Sequence, residues 1–144
     1  RTAGSVVFAE LYREGRIELE LVPQGTLSER IRAGGAGIAA FYTPTSVGTR
    51  LAEGKEIRTI DGVECVLEYG LRADVALVRA DRGDRWGNLT YHRTARNFNP
   101  MMASAGDLCI AEVREIVELG DIEPEQVVTP GIFVDRLVLS GERR

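Results

Sequence analysis

Apolar positions along the chain fall into two periods that alternate. Val7, Phe8, Leu11 and Tyr12 recur at helical spacing with charged residues between them, which predicts a helix over 6–13 ended by Gly15. The period then shortens. Ile17, Leu19 and Leu21 alternate with Glu18 and Glu20, the pattern of a half-buried strand over 17–21, and Pro23 stops it. Thr26-Leu27-Ser28-Glu29 reads as a capping box, in which the Thr side chain accepts from the third helical N–H and the Glu reaches back. Leu27 and Ile31 mark that helix's apolar stripe, and Gly34 and Gly35 end it. Residues 17–35 therefore read as strand, a tight Pro23-Gln24-Gly25 turn, and helix.

Small and hydroxyl residues crowd 34–49 with almost no charge, which predicts backbone packed closely against another chain or a ligand. Residues 57–60 and 63–67 read as two strands joined at Asp61-Gly62, a favoured hairpin turn. The apolar run 75–78 predicts a strand covered on both faces. Residues 81–88 read as a loop, 89–91 as strand, 101–105 as a short helix, 108–113 as strand and 127–139 as the last strand. Asn97-Phe98-Asn99-Pro100 breaks the chain, and the tail 140–144 is polar and predicted to fray. Helices interleaved with apolar strands predict an α/β fold with an open, mostly parallel sheet, plus an antiparallel piece at the hairpin. With no linker and no internal repeat, 1–144 reads as a single domain.

Totals narrow the function classes. The chain has 144 residues, 44% hydrophobic and 28% charged, the balance of one globular domain. Its net charge of −4 argues against nucleic acid as a partner. No run approaches the roughly 18 apolar residues of a membrane span, and no leader precedes the first helix, so no membrane partner and a cytoplasmic location are expected. The sequence opens on Arg1, from which a missing N-terminal portion is expected. Cys65 and Cys109 lie far apart and read as buried, reduced thiols. With a single histidine, His92, and no Cys-x-x-Cys pair, no metal site is expected.

In open α/β sheets, ligands sit beyond the carboxyl ends of strands, at the N-termini of the helices that follow. Gln24 and Gly25 occupy that place. Free N–H groups there favour developing negative charge, and the Gln24 amide can hold a carbonyl oxygen as it gains charge. A polar turn residue of no further consequence is an equal reading. Gly35-Ala36-Gly37-Ile38-Ala39-Ala40 meets the loose dinucleotide pattern, but a helix precedes it where a strand is required and Pro44 follows, so nucleotide binding is disfavoured. Ser46 is not in a nucleophile elbow, Cys109 reads as core, and no carboxylate is singled out. Arg93 and Arg96 read more readily as surface residues than as an anion clamp. Asn97 and Asn99, flanking Phe98, form a turn that must place its amides tightly. A plausible site without an attacking group calls for a second chain.

Three stretches then stand together: Glu-Leu-Val-Pro-Gln-Gly-Thr-Leu-Ser-Glu-Arg-Ile-Arg-Ala-Gly-Gly-Ala-Gly (20–37), Ala-Phe-Tyr-Thr-Pro-Thr (40–45) and Thr-Ala-Arg-Asn-Phe-Asn-Pro (94–100). In that order they resemble the A-type subunit of family I CoA-transferases, which act on 3-oxoacids such as 3-ketoacids and 3-oxoadipate. Residues 81–89, ending Trp-Gly-Asn-Leu, and Thr-Pro-Gly-Ile-Phe-Val-Asp-Arg-Leu (129–137) are similar to the same family. The resemblance implies the open-sheet CoA-transferase fold without its N-terminal part. It implies acyl-CoA and carboxylic acid substrates, CoA as substrate with no bound cofactor, and a B-type subunit whose glutamate forms a glutamyl-CoA thioester. It places Gln24 at the acyl carbonyl and Gly25, Gly35, Ala36, Gly37, Phe41, Asn97 and Asn99 around the substrate. The rival readings are a chain of the acetate or butyrate type and a non-catalytic or hydrolase-like relative. Ala39 stands where relatives often carry proline, and Ser46 where they often carry glycine.

Overall fold

The structure is a computed structural model that describes residues 6–141. In chain order its main elements are helices α1 (Val6–Arg13) and α2 (Gln24–Gly35), then strands β1 (Ala40–Thr43), β2 (Ile57–Ile60), β3 (Val63–Tyr69), β4 (Ala73–Asp84) and β5 (Leu89–Thr90). Helix α3 (Asn99–Ala105) and strands β6 (Gly106–Val117) and β7 (Arg136–Leu139) complete it. One sheet is antiparallel, in the order β1-β3-β2; the other runs β5-β4-β6-β7. In the second sheet β4–β6 and β6–β7 are parallel and only β5 is antiparallel. The fold is thus α/β with a mostly parallel sheet, as the alternating periods predict.

The core lies on one face of that sheet. Ala76, Val78 and Ala80 of β4 and Cys109, Ala111 and Val113 of β6 point inward, joined by Leu89, Tyr91 and Ala103. Small side chains on the two central strands let α3 lie close against them. The Asp61-Gly62 turn has φ of 50° and 80°, the left-handed pair that a two-residue hairpin needs, and β2 and β3 pair around it as the sequence predicts.

Several expectations are corrected. Residues 17–21 form no strand, with a bend at Ile17 and no ladder partner among the described residues, because a strand needs a pairing that local sequence cannot supply. The capping box does not form. Pro23 occupies the N-cap with φ −56° and ψ 140°, so α2 begins at Gln24 and Thr26 falls inside its first turn. Glu29 instead meets Arg32 at 2.9 Å. The run 75–78 belongs to the much longer β4, and only one face is covered: Leu77 is 69% exposed while neighbouring Val78 is 3% exposed. Likewise β4 continues through Asp84 where a loop was expected, and β6 reaches from 106 to 117. Residues 127–139 hold a strand only at β7; before it come 3-10 turns at Pro124–Gln126 and Gly131–Phe133 and a bridge from Leu89 to Thr129. Within the predicted fraying tail, the Ser140 N–H donates to the Val113 carbonyl at 2.8 Å, while 142–144 lie outside the described residues.

Two internal features carry predictions. Ser46 adopts φ 80°, and its buried hydroxyl has no partner. Ser46→Gly is expected to raise stability by about 1 kcal/mol, through relief of left-handed strain and of an unmet polar group, as chemical denaturation will show. Burial pushes the Cys109 thiol up to about 11, with the Asp135 carboxylate adding to the effect. A thiol held protonated in the fold stabilises fully below its unfolded value of about 8.5, and loses that contribution as pH rises through about 11. Melting temperatures from pH 8 to 11 should fall, and the fall should be shallower in Cys109→Ala.

Candidate functional site

Gln24 is the first residue of α2, just past the Pro23 bend. Proline suits this position, since its fixed φ sets the entry and its missing N–H is not needed there. No side chain caps the helix and no acidic residue lies in its first turn. The N–H groups of Gln24, Gly25 and Thr26 have no acceptor within the helix, so this end carries a partial positive charge. Gln24 and Gly25 are exposed, and the Gln24 amide makes no hydrogen bond to the rest of the described chain. The Thr26 hydroxyl, by contrast, is buried without a partner.

A group of charges anchors α2 near its middle. Arg30 Nε donates to the Tyr69 carbonyl at 3.0 Å, and its Nη1 meets Glu20 Oε1 at 2.8 Å. The same guanidinium lies 4.0 Å from Glu68, which is 2% exposed and takes Lys55 Nζ at 2.6 Å. The Leu71 N–H donates to the Arg30 carbonyl at 2.7 Å. Arg30 therefore ties α2 at once to β3 and to the segment before Pro23. Sequence reasoning missed this group, because Lys55, Glu68 and Arg30 are remote along the chain and no periodicity joins them.

The opposite end of α2 lies about 16 Å away, at 1.5 Å of rise per residue over its 12 residues. There Gly35 and Ala36 border an open cavity of about 290 Å³ with Arg32, Pro100, Met101 and Ser104 on one side and Pro130 and Phe133 on the other. A Cβ on Gly35 would lie 2.3 Å from Ser104 Oγ, so α2 and α3 pack through a position only glycine fills. Gly37 follows at φ 73° with open space around it. Phe41 sits half-buried on β1 opposite Glu68. Both ends of the Asn99 side chain are engaged: Oδ1 accepts from the Arg79 N–H at 3.0 Å and Nδ2 donates to the Ala95 carbonyl at 2.8 Å. Asn97 is exposed and its amide is free of hydrogen bonds within the described chain. The structure thus parts the sequence-predicted residues, with Gln24 and Gly25 at one end of α2 and Gly35, Ala36 and Gly37 at the other.

The Trp-Gly-Asn loop is shaped from within. Asp84 Oδ1 accepts from the Trp86 and Asn88 N–H groups at 3.0 Å, and Oδ2 accepts from the Asn88 amide at 2.9 Å. Asn88 Oδ1 in turn accepts from the Gly131 N–H at 3.0 Å. The Tyr91 and Thr129 hydroxyls meet at 2.7 Å, and burial raises the tyrosine's pKa. These contacts hold the Thr-Pro-Gly segment against β5, on the side of the cavity facing α2. Among the described residues no three His, Cys, Asp or Glu are grouped to hold a metal ion, and no described helix is long and apolar enough to cross a membrane. An exposed amide at an uncapped helix start can donate to a carbonyl oxygen as it gains charge.

Comparison with known proteins agrees with the motifs. The chain is 61% identical over 138 residues to the A-type subunit of 3-oxoadipate CoA-transferase from Pseudomonas putida, covering 96% of this chain and 60% of that protein. It is 62% identical over 134 residues to the A-type subunit of succinyl-CoA:3-ketoacid coenzyme A transferase from Xanthomonas campestris pv. campestris strain B100, covering 93% of this chain and 55% of the relative. The chain therefore spans rather over half the length of these relatives. Among solved structures, an acyl-CoA transferase from E. coli O157:H7 superposes with a TM-score of 0.81 at 20% identity, over 94% of this chain and 32% of that one, a likeness of fold. The sequence matches the coenzyme A transferase family over residues 1–140, nearly its whole length, and the chain belongs to that family.

Proposed function

We propose that this chain is part of the A-type subunit of a transferase that moves CoA from an acyl-CoA such as succinyl-CoA to a 3-oxoacid. One observation carries the reading. An uncapped helix N-terminus bears an exposed glutamine whose side chain bonds to nothing else in the described chain. That is half of an acyl-transfer site. It stabilises charge on a carbonyl oxygen and leaves the nucleophile to another chain. The relatives' names, each denoting one of the differing chains of a CoA-transferase, support the same division.

In this reading a glutamate of the B-type subunit attacks the acyl carbonyl and expels CoA as its thiolate, leaving a mixed anhydride. The thiolate then attacks the glutamyl carbonyl, the donor acid leaves as its carboxylate, and the resulting glutamyl-CoA thioester passes CoA to the acceptor acid by the same steps in reverse. The Gln24 amide donates to the acyl carbonyl oxygen as it becomes negative, beside the N–H groups of Gly25 and the first turn of α2. Gly35, Ala36, Gly37 and Phe41 wall the more distant part of an extended thioester. Asn97 offers its free amide, and Asn99 acts by holding the turn against β4. CoA enters as a substrate and no bound cofactor takes part; the cytoplasm is the setting.

Trapping tests the division of labour. Once assembled with its B-type subunit, the chain is given acyl-CoA and then treated with borohydride or hydroxylamine. Peptide mapping should find the modification on a glutamate of the B-type subunit. Modification on this chain, or none on either, overturns the proposal.

A further inference from the structure

The chain reaches Gln24 through a segment that is barely held. Among the described residues, no N–H or C=O of 17–22 makes a backbone hydrogen bond. The Arg16 N–H donates back to Leu11, and the next such bond runs from the Leu27 N–H to the Pro23 carbonyl at 2.9 Å, at the start of α2. Leu19 and Leu21 are 43% and 65% exposed, so packing adds little. Glu18 is exposed and has no partner. A single polar contact joins this segment to the rest of the described chain: Arg30 Nη1 donates to Glu20 Oε1 at 2.8 Å. The two residues are 10 positions apart, and Gln24 lies on the loop that their contact closes.

The two partners are unequal. Arg30 is fixed before Glu20 reaches it. Its side chain is 14% exposed, its Nε donates to the Tyr69 carbonyl at 3.0 Å, and its own carbonyl accepts from the Leu71 N–H at 2.7 Å. Glu20 has no other bond and is largely exposed. A guanidinium already ordered by its neighbours gives up little freedom to hold one more acceptor, unlike a pair of mobile surface side chains. Removing Glu20 therefore leaves α2 seated on β3 and frees only the approach to it. That approach decides where Gln24 points. The proline ring locks φ at Pro23, and Leu21, Val22 and Pro23 link the tethered Glu20 directly to the first turn of α2. We propose that Glu20 is a positioning residue. Its bond to Arg30 holds the Pro23 bend, and through it the Gln24 amide, in the orientation that meets the acyl carbonyl. This role rests on the reading of Gln24 as the carbonyl contact, and it adds the residue that aims that contact.

Turnover and hydrogen exchange test it together, in the transferase assembled with its B-type subunit. Glu20→Ala should lower kcat at least about tenfold, as displacement of a catalytic donor does, with kcat/KM falling alongside. Glu20→Gln keeps an oxygen for Arg30 to reach and should stay within about threefold of wild type. Glu18→Ala removes a neighbouring carboxylate that has no partner and should leave turnover unchanged. In a Gln24→Ala background, Glu20→Ala should cost at most about a further twofold, because the group it aims is gone. By mass spectrometry the Leu27 amide, which donates to Pro23, should exchange at least about tenfold faster in Glu20→Ala while β4 and β6 keep their protection. Unchanged Leu27 exchange overturns the proposal, because the bend then needs no tether. Equal losses in Glu20→Ala and Glu20→Gln also overturn it, since the charge rather than the bond is then responsible. So do losses that multiply in the double variant, which make the two residues independent. Slowed turnover in Gln24→Ala beside wild-type turnover in Glu20→Ala sinks this proposal alone. Wild-type turnover in Gln24→Ala sinks the reading of Gln24, and this proposal with it.

Discussion

Gln24→Ala, in the transferase assembled with its B-type subunit, is expected to lower turnover at least tenfold and leave the melting temperature unchanged. The two halves of that result have separate causes. The Gln24 side chain is exposed and bonds to nothing else in the described chain, so its removal strips no contact from the fold. Its amide stands at a helix end where the backbone N–H groups lack partners and no acidic residue offsets their charge. A donor there strengthens as the carbonyl oxygen becomes an oxyanion. Loss of one such donor costs about 100-fold to 1,000-fold where it acts in a closed site. The remaining N–H groups of the first turn temper that loss, which sets tenfold as the floor. Because the interaction is made in the transition state, kcat and kcat/KM should fall together. Gln24→Glu keeps the shape but puts a negative charge where negative charge must develop, and should be slower still at neutral pH. Wild-type turnover in the alanine variant, with assembly verified by co-purification, would remove Gln24 from the site.

Gly34→Ala should be strongly destabilising, although the backbone angle there is ordinary. A Cβ at that position would lie 2.1 Å from the Leu71 carbonyl oxygen and 2.6 Å from its carbon. The obstacle is main chain, already tied to α2 by the Leu71-to-Arg30 hydrogen bond at 2.7 Å, so it cannot swing aside as a side chain would. Gly70 faces Gly34 from the other side, where a Cβ would lie 3.1 Å from the Gly34 nitrogen and 2.6 Å from the Ile38 carbonyl oxygen. Relieving the clash means moving α2 off β3. The expected cost is about 3 kcal/mol, the upper part of the range for overpacking, or a melting temperature lower by about 10 °C in a domain of this size. Gly25→Ala, with open space around its Cβ, is the control and should be close to neutral. Equal melting temperatures for Gly34→Ala and Gly25→Ala would mean that α2 does not sit against residues 70–71.

These two experiments mark where reading the chain was enough and where it was not. The Gln24 position was legible, because Pro23 and the apolar stripe of the following helix place it at a helix start whichever cap forms. The glycines at 34 and 35 were legible only as a helix stop and a wall. What they do in the fold depends on Leu71 and Ser104, whose approach no local pattern announces. The capping box failed for a related reason: Thr-x-x-Glu is a signal of sequence spacing, and the proline three residues earlier fixed the entry first.

Periodicity and turn chemistry by themselves determined the helix at 6–13, the Asp61-Gly62 hairpin and the α/β class; the family followed from the resemblance of the motifs to known proteins. Each depends on neighbours within a few residues or on the identity of a short run, and those forces act before the chain has a shape. Tertiary structure alone decided that α2 holds its two groups of candidate residues about 16 Å apart, at 1.5 Å per residue over 12 residues. It alone joined Arg30, Glu68 and Lys55, and left residues 17–22 without a ladder. Packing and strand pairing are made between residues far apart in sequence, so they exist only once the chain has brought those residues together.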